Sequence, residues 1–228
     1  LIATASARAA EVDVELVLAV DTSGSIDAEE YQVQHEGYAE AFASEEVIGA
    51  IQAGPLQQIA VTFVEWSGLG HQNQVVGWMI VKDRASALAL AEKIKNAPRK
   101  FSDWTAISDM IDFAARLYDG NGYEGMRLVL DVSGDGINNN GRPVNEARDE
   151  AVAKGIVING LPILNEDPTL DAYYQENVIG GPGAFKIAVK DFDTFKEALV
   201  AKLVREIAGV TAGRFDYAGI RRDSIAVE

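Results

Sequence analysis

Five residues on three separate stretches have the types and spacing to hold a hard cation. Asp21, Ser23 and Ser25 stand two apart in "LVLAVDTSGSID", directly behind an apolar run. Thr105 lies in "KFSDWTAISD", at the mouth of a helical pattern, where its hydroxyl can cap the helix or reach outward. Asp135 follows the apolar run of "LVLDVSGDG". If the three stretches meet, they supply two carboxylates and three hydroxyls. That set suits Mg2+ first, with Ca2+ or Mn2+ as alternatives. Mg2+ takes near-octahedral oxygen coordination and keeps several waters, so a site with few protein ligands leaves a position for a carboxylate from outside. Two carboxylates neutralise the ion and hydroxyls add no charge, so it would stay electrophilic towards an acidic partner.

Composition narrows the chemistry further. There is no cysteine, and His35 and His71 are the only histidines, so neither a thiolate site nor an imidazole cluster for zinc can form. A formal net charge of -15 makes nucleic acid and anionic lipid poor partners, because both are bound through clustered Lys and Arg. The longest apolar runs, over 12–20 and 155–164, fall well short of the roughly 20 residues a membrane-spanning helix needs. Residues 1–10, "LIATASARAA", have an apolar end and an Ala7-Arg8-Ala9 triplet of the kind signal peptidase cuts. They are expected to be a signal-peptide remnant; an Ala-rich leader without meaning and a retained anchor are the alternatives.

The elements that must position the five residues follow from periodicity. Strand-length apolar runs over 12–20, 59–66, 75–81, 127–132, 156–161 and 185–189 alternate with helical stretches, the pattern of parallel strands joined by crossover helices. The third run follows the second after only "SGLGHQNQ", too short for a crossover helix, so it should be an antiparallel partner at a sheet edge. Asp27 with Glu30 forms a capping box, after which Tyr31, His35, Tyr38 and Phe42 share a helix face. Ile107, Met110, Ile111, Ala114 and Leu117 make a second stripe, and Phe192, Phe195, Leu199, Leu203 and Ile207 a third, with Asp191 as its expected cap. His35 is expected to be a packed histidine at the edge of the core, and Glu65 an edge or strand-end residue. In an open parallel sheet, ligands bind outside the carboxyl ends of the strands, where Asp21 and Asp135 fall.

Competing motifs fail on particular positions. Asp, Ser and Gly are common in strand-to-helix turns, and Asp21 and Ser23 could be capping local backbone; three such elements in order at strand ends favour a cation site. There is no Gly-x-x-x-x-Gly-Lys-[Ser/Thr] run for phosphates. "DVSGDGINNNGR" opens like a calcium loop, but its twelfth residue is Arg142 where a bidentate Glu is needed. Asn138, Asn139 and Asn140 instead read as a turn that could line the site, leading to a helix that starts at Pro143. "GGPGAF" has no helix behind it and is a turn. A phosphotransferase with an aspartyl nucleophile would need a second acid where Ser23 stands, and neither histidine has a triad partner evident in sequence. No catalytic residue is assigned.

"DTSGS" after a buried strand, a Thr opening a later helix and "SGDG" after another strand resemble the D-x-S-x-S, Thr and Asp-Gly elements of the von Willebrand factor type A domain, the fold that carries the metal-ion-dependent adhesion site. The likeness covers about 11–209, leaving 210–228 as a C-terminal extension. "VEWSG", "DVSGDGINNNGRPV", "GLPILN" and "YYQENVIGGPGAF" are similar to a bacterial, mostly exported single-domain group of that superfamily. The resemblance implies an α/β fold with a doubly wound, mostly parallel six-stranded sheet, one antiparallel edge strand and helices on both faces, Rossmann-like in plan. It also implies protein recognition through one bound cation, and a periplasmic or secreted location. Ser23 and Ser25 would ligate directly, Asp21 directly or through water, and Asp135 matches the last element. Thr105 departs from the pattern, which usually has small residues before it; here Asp103 and Trp104 precede it. Trp104 would flank the metal or cover an apolar edge, and Asp103 would shift the preference towards Ca2+.

The function expected is cation-dependent protein binding in adhesion or assembly, an acidic side chain of the partner completing the metal shell. One rival is a structural subunit of a larger extracytoplasmic complex with a closed or non-functional site. Another is a metal-dependent hydrolase.

Overall fold

The structure, a computed structural model, describes residues 8–165, 167–192 and 194–209, and the backbone of 225–227. The segments read as a signal remnant and a C-terminal extension therefore lie largely outside the described residues.

Two short strands form a ribbon beside the sheet: β1 (Ala10–Val12) pairs in parallel with β5, which comes much later in the chain (Tyr123–Gly125). The predicted first strand is thus divided at Asp13, and β2 (Glu15–Asp21) is its main part. All seven residues of β2 are buried, as expected of a central strand covered on both faces. Leu16, Leu18 and Val20 enter one apolar core and Val17 and Ala19 the other, the period-two alternation that lets one strand seed two layers.

After β2 come α1 (Ala28–Ala43), α2 (Glu45–Gln52), β3 (Ile59–Trp66), β4 (Gln72–Val81) and α3 (Arg84–Lys95). The capping box forms as expected: Asp27 Oδ1 accepts from the backbone N–H of Glu29 and Glu30, and Glu30 Oε2 accepts from Asp27 N. Next are α4 (Ile107–Leu117), β6 (Leu128–Gly134), α5 (Val144–Ala153), β7 (Ile156–Pro162), the short α6 (Leu170–Tyr173), β8 (Ile187–Val189) and α7 (Phe195–Ala208). The sheet order is β4-β3-β2-β6-β7, parallel except for the antiparallel edge strand β4. The sixth strand is present but short: among the described residues, β8 and its approach meet β7 and its exit through the isolated parallel bridges Gly160–Lys186 and Ile163–Val189. Its other side pairs antiparallel with β9 (Ile225–Val227), where the sequence pattern suggested no element.

One core packs α1, α2, α3 and α7 on the sheet and the other packs α4 and α5, so helices cover both faces. The three predicted stripes face inward; Tyr38, Phe42, Ile107, Met110, Ile111, Phe195, Leu199 and Leu203 are fully buried. Asp191 is a correction. Thr194 occupies the N-cap of α7 without a side-chain bond, and Asp191 instead accepts from Thr194 N at 3.0 Å, closing the turn before the helix. The helix ends at Gly209, whose φ of 64° is the left-handed cap that glycine adopts without a Cβ penalty. Glu65 is a strand-end residue, next to last in β3, and not an edge residue: β3 is an inner strand and the side chain is fully buried.

Candidate metal centre

Asp21 ends β2, and the chain then turns through Thr22-Ser23-Gly24-Ser25 into α1. Its carboxylate is fully buried, and Oδ1 accepts from Ser23 N at 2.7 Å, which folds the turn back over the strand end. Ser23 Oγ lies 3.2 Å from Ser25 Oγ, and Ser25 Oγ donates to Asp135 Oδ1 at 2.7 Å. Asp135 directly follows β6, the neighbour of β2, so adjacent strands deliver the two acids to one spot. Gly134 makes the approach possible: a Cβ there would come within 2.8 Å of Asp21 Oδ2.

Thr105 is nearly buried, just before α4, and makes no side-chain cap; a Cβ on Gly136 would lie 3.4 Å from its Oγ1. The structure therefore links Asp21, Ser23, Ser25 and Asp135 through hydrogen bonds and sets Thr105 beside the Asp135 loop. Ser25 is exposed, so the cluster opens to solvent on that side.

Electrostatics at the cluster are unfavourable without a cation. Burial, and secondly the charge of Asp135, push the Asp21 carboxyl up to about 7, against the opposing pull of its Ser23 hydrogen bonds and of Arg99. Asp21 Oδ2 is buried and has no hydrogen-bond partner among the described residues. A buried carboxylate oxygen with no donor is costly and rare in native structures. An oxygen-binding cation would satisfy it, and the donor set of carboxylates and hydroxyls is the one that Mg2+ or Ca2+ selects. Among the described residues no group of three or more His, Cys, Asp or Glu could hold a metal, so any ion here must draw on the hydroxyls.

Arg99 belongs to no motif, and nothing in its spacing marks it as part of the site. Its Nη2 donates to the carbonyls of Thr22, Ser23 and Ile26 at 2.9, 2.9 and 2.8 Å, pinning the loop from the segment before α4. The asparagine turn braces the same loops: Asn139 Oδ1 accepts from Thr105 N, and Asn140 Oδ1 accepts from Leu69 N, both at 2.9 Å. Asp103 holds the loop through its carbonyl, which accepts from Gly24 N at 2.7 Å, while its carboxylate lies 2.7 Å from His71 Nδ1. Trp104 is 65% exposed and so covers no apolar edge. His35 is packed against Phe63 as expected, but it has a partner that sequence missed: Glu65 Oε1 lies 3.0 Å from its Nε2 and accepts from Tyr31 Oη at 2.6 Å.

Comparison with known proteins adds the following. A family described as "Protein of unknown function (DUF1194)" matches residues 11–211. The fold is similar to proximal thread matrix protein 1 from the mussel byssus, solved with a zinc-occupied metal-ion-dependent adhesion site motif, at a TM-score of 0.65 and 17% identity. That match covers 89% of this chain and 49% of the other, so the chain spans about half of that protein's length. It is also similar to a von Willebrand factor type A protein from Catenulispora acidiphila (TM-score 0.59, 16% identity, 86% and 43% covered). A third likeness is to the von Willebrand factor domain of the type V pili tip protein Mfa5 from Porphyromonas gingivalis (TM-score 0.59, 9% identity, 90% and 98% covered). At these identities the likeness establishes the fold. No curated protein matches the sequence.

Proposed function

The chain belongs to the DUF1194 family and has the von Willebrand factor type A fold, and we propose that it is a divalent-cation-dependent protein-binding module acting in adhesion or assembly outside the cytoplasm. Asp21, Ser23, Ser25, Thr105 and Asp135 would hold one cation, Mg2+ first, with Ca2+ or Mn2+ as alternatives. The observation that carries this reading is the fully buried Asp21, with an unpartnered Oδ2, set beside a second carboxylate. Once bound, the ion would supply a Lewis-acid position for an acidic side chain of the partner.

The chain's own residues do the rest. Asp21 and Asp135 supply the negative charge, while the serine hydroxyls bridge the two acids without adding to it. Arg99 fixes the loop carbonyls so that the donors are arranged before any ligand arrives, which reduces the ordering that binding must cost. Trp104, exposed next to Thr105, offers an apolar contact beside the ion, of the aromatic kind that anchors interfaces. The similar solved structures support adhesion or assembly over catalysis: besides the byssus matrix protein and the pili tip protein, they include a pilus adhesin, SpaC, from Lactobacillus rhamnosus GG. Among the described residues no helix is long and apolar enough to cross a membrane.

The test is a thermal melt in chelator and then in Mg2+, Ca2+ or Mn2+, for the wild type and for Asp135→Ala. The expected result is a cation-dependent rise in Tm that the variant loses, since a ligand bound only to the native state stabilises it by mass action. A wild type indifferent to all three ions would refute the reading.

A further inference from the structure

On the sheet face that packs against α7, a lysine and two acids are sealed in the core. Lys202 and Asp131 are fully buried, and Glu206 is 2% exposed. Lys202 Nζ contacts Asp131 Oδ1 on β6 and lies 2.5 Å from Glu206 Oε1, one helical turn further along α7. Asn159 Nδ2 donates to that same glutamate oxygen at 3.1 Å, and the Phe185 ring lies 5.7 Å from Nζ. Asp131 Oδ2 and Glu206 Oε2 have no hydrogen-bond partner among the described residues. One ammonium faces two carboxylates, and the cluster is shut off from the water that would screen it. Such a group is poorly satisfied as ions, because desolvation is repaid only when the remaining lone pairs are also bonded.

We propose that Lys202 and Asp131 join in an intramolecular isopeptide bond, with Glu206 carrying the protons. Overall, the Lys202 ammonium and the Asp131 carboxylate become an amide and one water, with no oxidant or cofactor. Glu206 takes a proton from the ammonium and passes it to the Asp131 carboxyl, leaving a neutral amine against a neutral acid. Nζ attacks Cγ, the N–C bond forms and the C–O bond breaks. A second nitrogen proton travels through Glu206 to the departing hydroxyl, which leaves as water. Burial raises both carboxyls, that of Glu206 to about 7 with Asp131 as the second cause, so protons are held where these transfers need them. Contact between Lys202 Nζ and the Asp131 carboxyl is enforced by burial between α7 and β6, which replaces the encounter step of a bimolecular condensation. The product is neutral, and it ties α7 to the centre of the sheet.

The experiment is the denatured intact mass of the full chain, followed by protease mapping. The expected wild-type mass is lower than the sequence mass by one water, with fragment ions that join the peptide holding Asp131 to the one holding Lys202. Glu206→Gln and Lys202→Arg should return to the full sequence mass. A wild type at the full sequence mass overturns the proposal. So does a lost water without a joined peptide, as cyclisation at Asp135-Gly136 would give. Retention of the joined peptide in Glu206→Gln would remove Glu206 from the chemistry. Should either variant fail to fold, the wild-type mass and map decide alone.

Discussion

Ser25 Oγ donates to Asp135 Oδ1 at 2.7 Å, so a charge-assisted hydrogen bond closes the loop after β2 onto the loop after β6. The same closure places Asp135 where its charge raises the Asp21 carboxyl. Asp135→Asn keeps the shape and removes that charge. In chelator the variant should therefore melt no lower than the wild type, while in millimolar Mg2+ the wild type alone should gain stability, by about 2.7 kcal/mol when the ion is at 100 times its Kd. A variant that lost stability in chelator would show that the hydrogen bond outweighs the repulsion.

Arg99 offers a different prediction, because it holds the loop without touching the proposed ion. Arg99→Met leaves the carbonyls of Thr22, Ser23 and Ile26 without their charged donor. Hydrogen bonds to charged groups contribute about 1.5–3 kcal/mol, so chemical denaturation should report a loss of about 2 kcal/mol. Isothermal titration should find cation affinity reduced but not abolished, since the five donors remain.

These two residues show where sequence was informative. Asp21, Ser23, Ser25 and Asp135 were legible because each sits at a fixed offset from an apolar strand, and strand ends in a parallel sheet are predictable meeting points. The capping box at Asp27 and Glu30 was legible because both partners lie within one helical turn. Arg99 was not, since it lies in a segment of no period and reaches a loop more than 70 positions away. The pairing of His35 with Glu65 was hidden for the same reason: helix and strand periodicity say which face each presents, but not which residues meet across it. Asp131 stood in an apolar run, where a single acid leaves the strand assignment unchanged, and its partner lies on the last helix. The sixth strand was read at full length from its apolar residues, but only Ile187–Val189 extends, and it meets β7 through isolated bridges.

Trp104 separates a contact role from a packing role. At 65% exposure its removal should cost little, and Trp104→Ala should stay within about 0.5 kcal/mol of wild-type stability, with cation titration unchanged. Hydrogen-exchange mass spectrometry on the loop around Thr105 should likewise show no added opening. A loss of more than about 1 kcal/mol would mark Trp104 as a packed cover for the loops and remove it from the proposed contact surface.

The pH dependence of the cation-free protein follows from Asp21. Its carboxyl is held at about 7 in the folded chain, first by burial and then by Asp135, against an ordinary 3.8. Across that window the native state keeps a proton that the unfolded chain has released. Stability in chelator should therefore fall as pH rises from about 3.8 to about 7 and level off above it, by an amount of the order of 4 kcal/mol. Asp21→Asn cannot ionise, so its melting curves should lose the part of the slope that Asp21 contributes, keep the part that the buried Glu206 contributes, and exceed the wild type most at pH 8. Wild-type curves in chelator that rise across the same interval would mean that another group governs the acid range and that the burial of Asp21 is relieved by water.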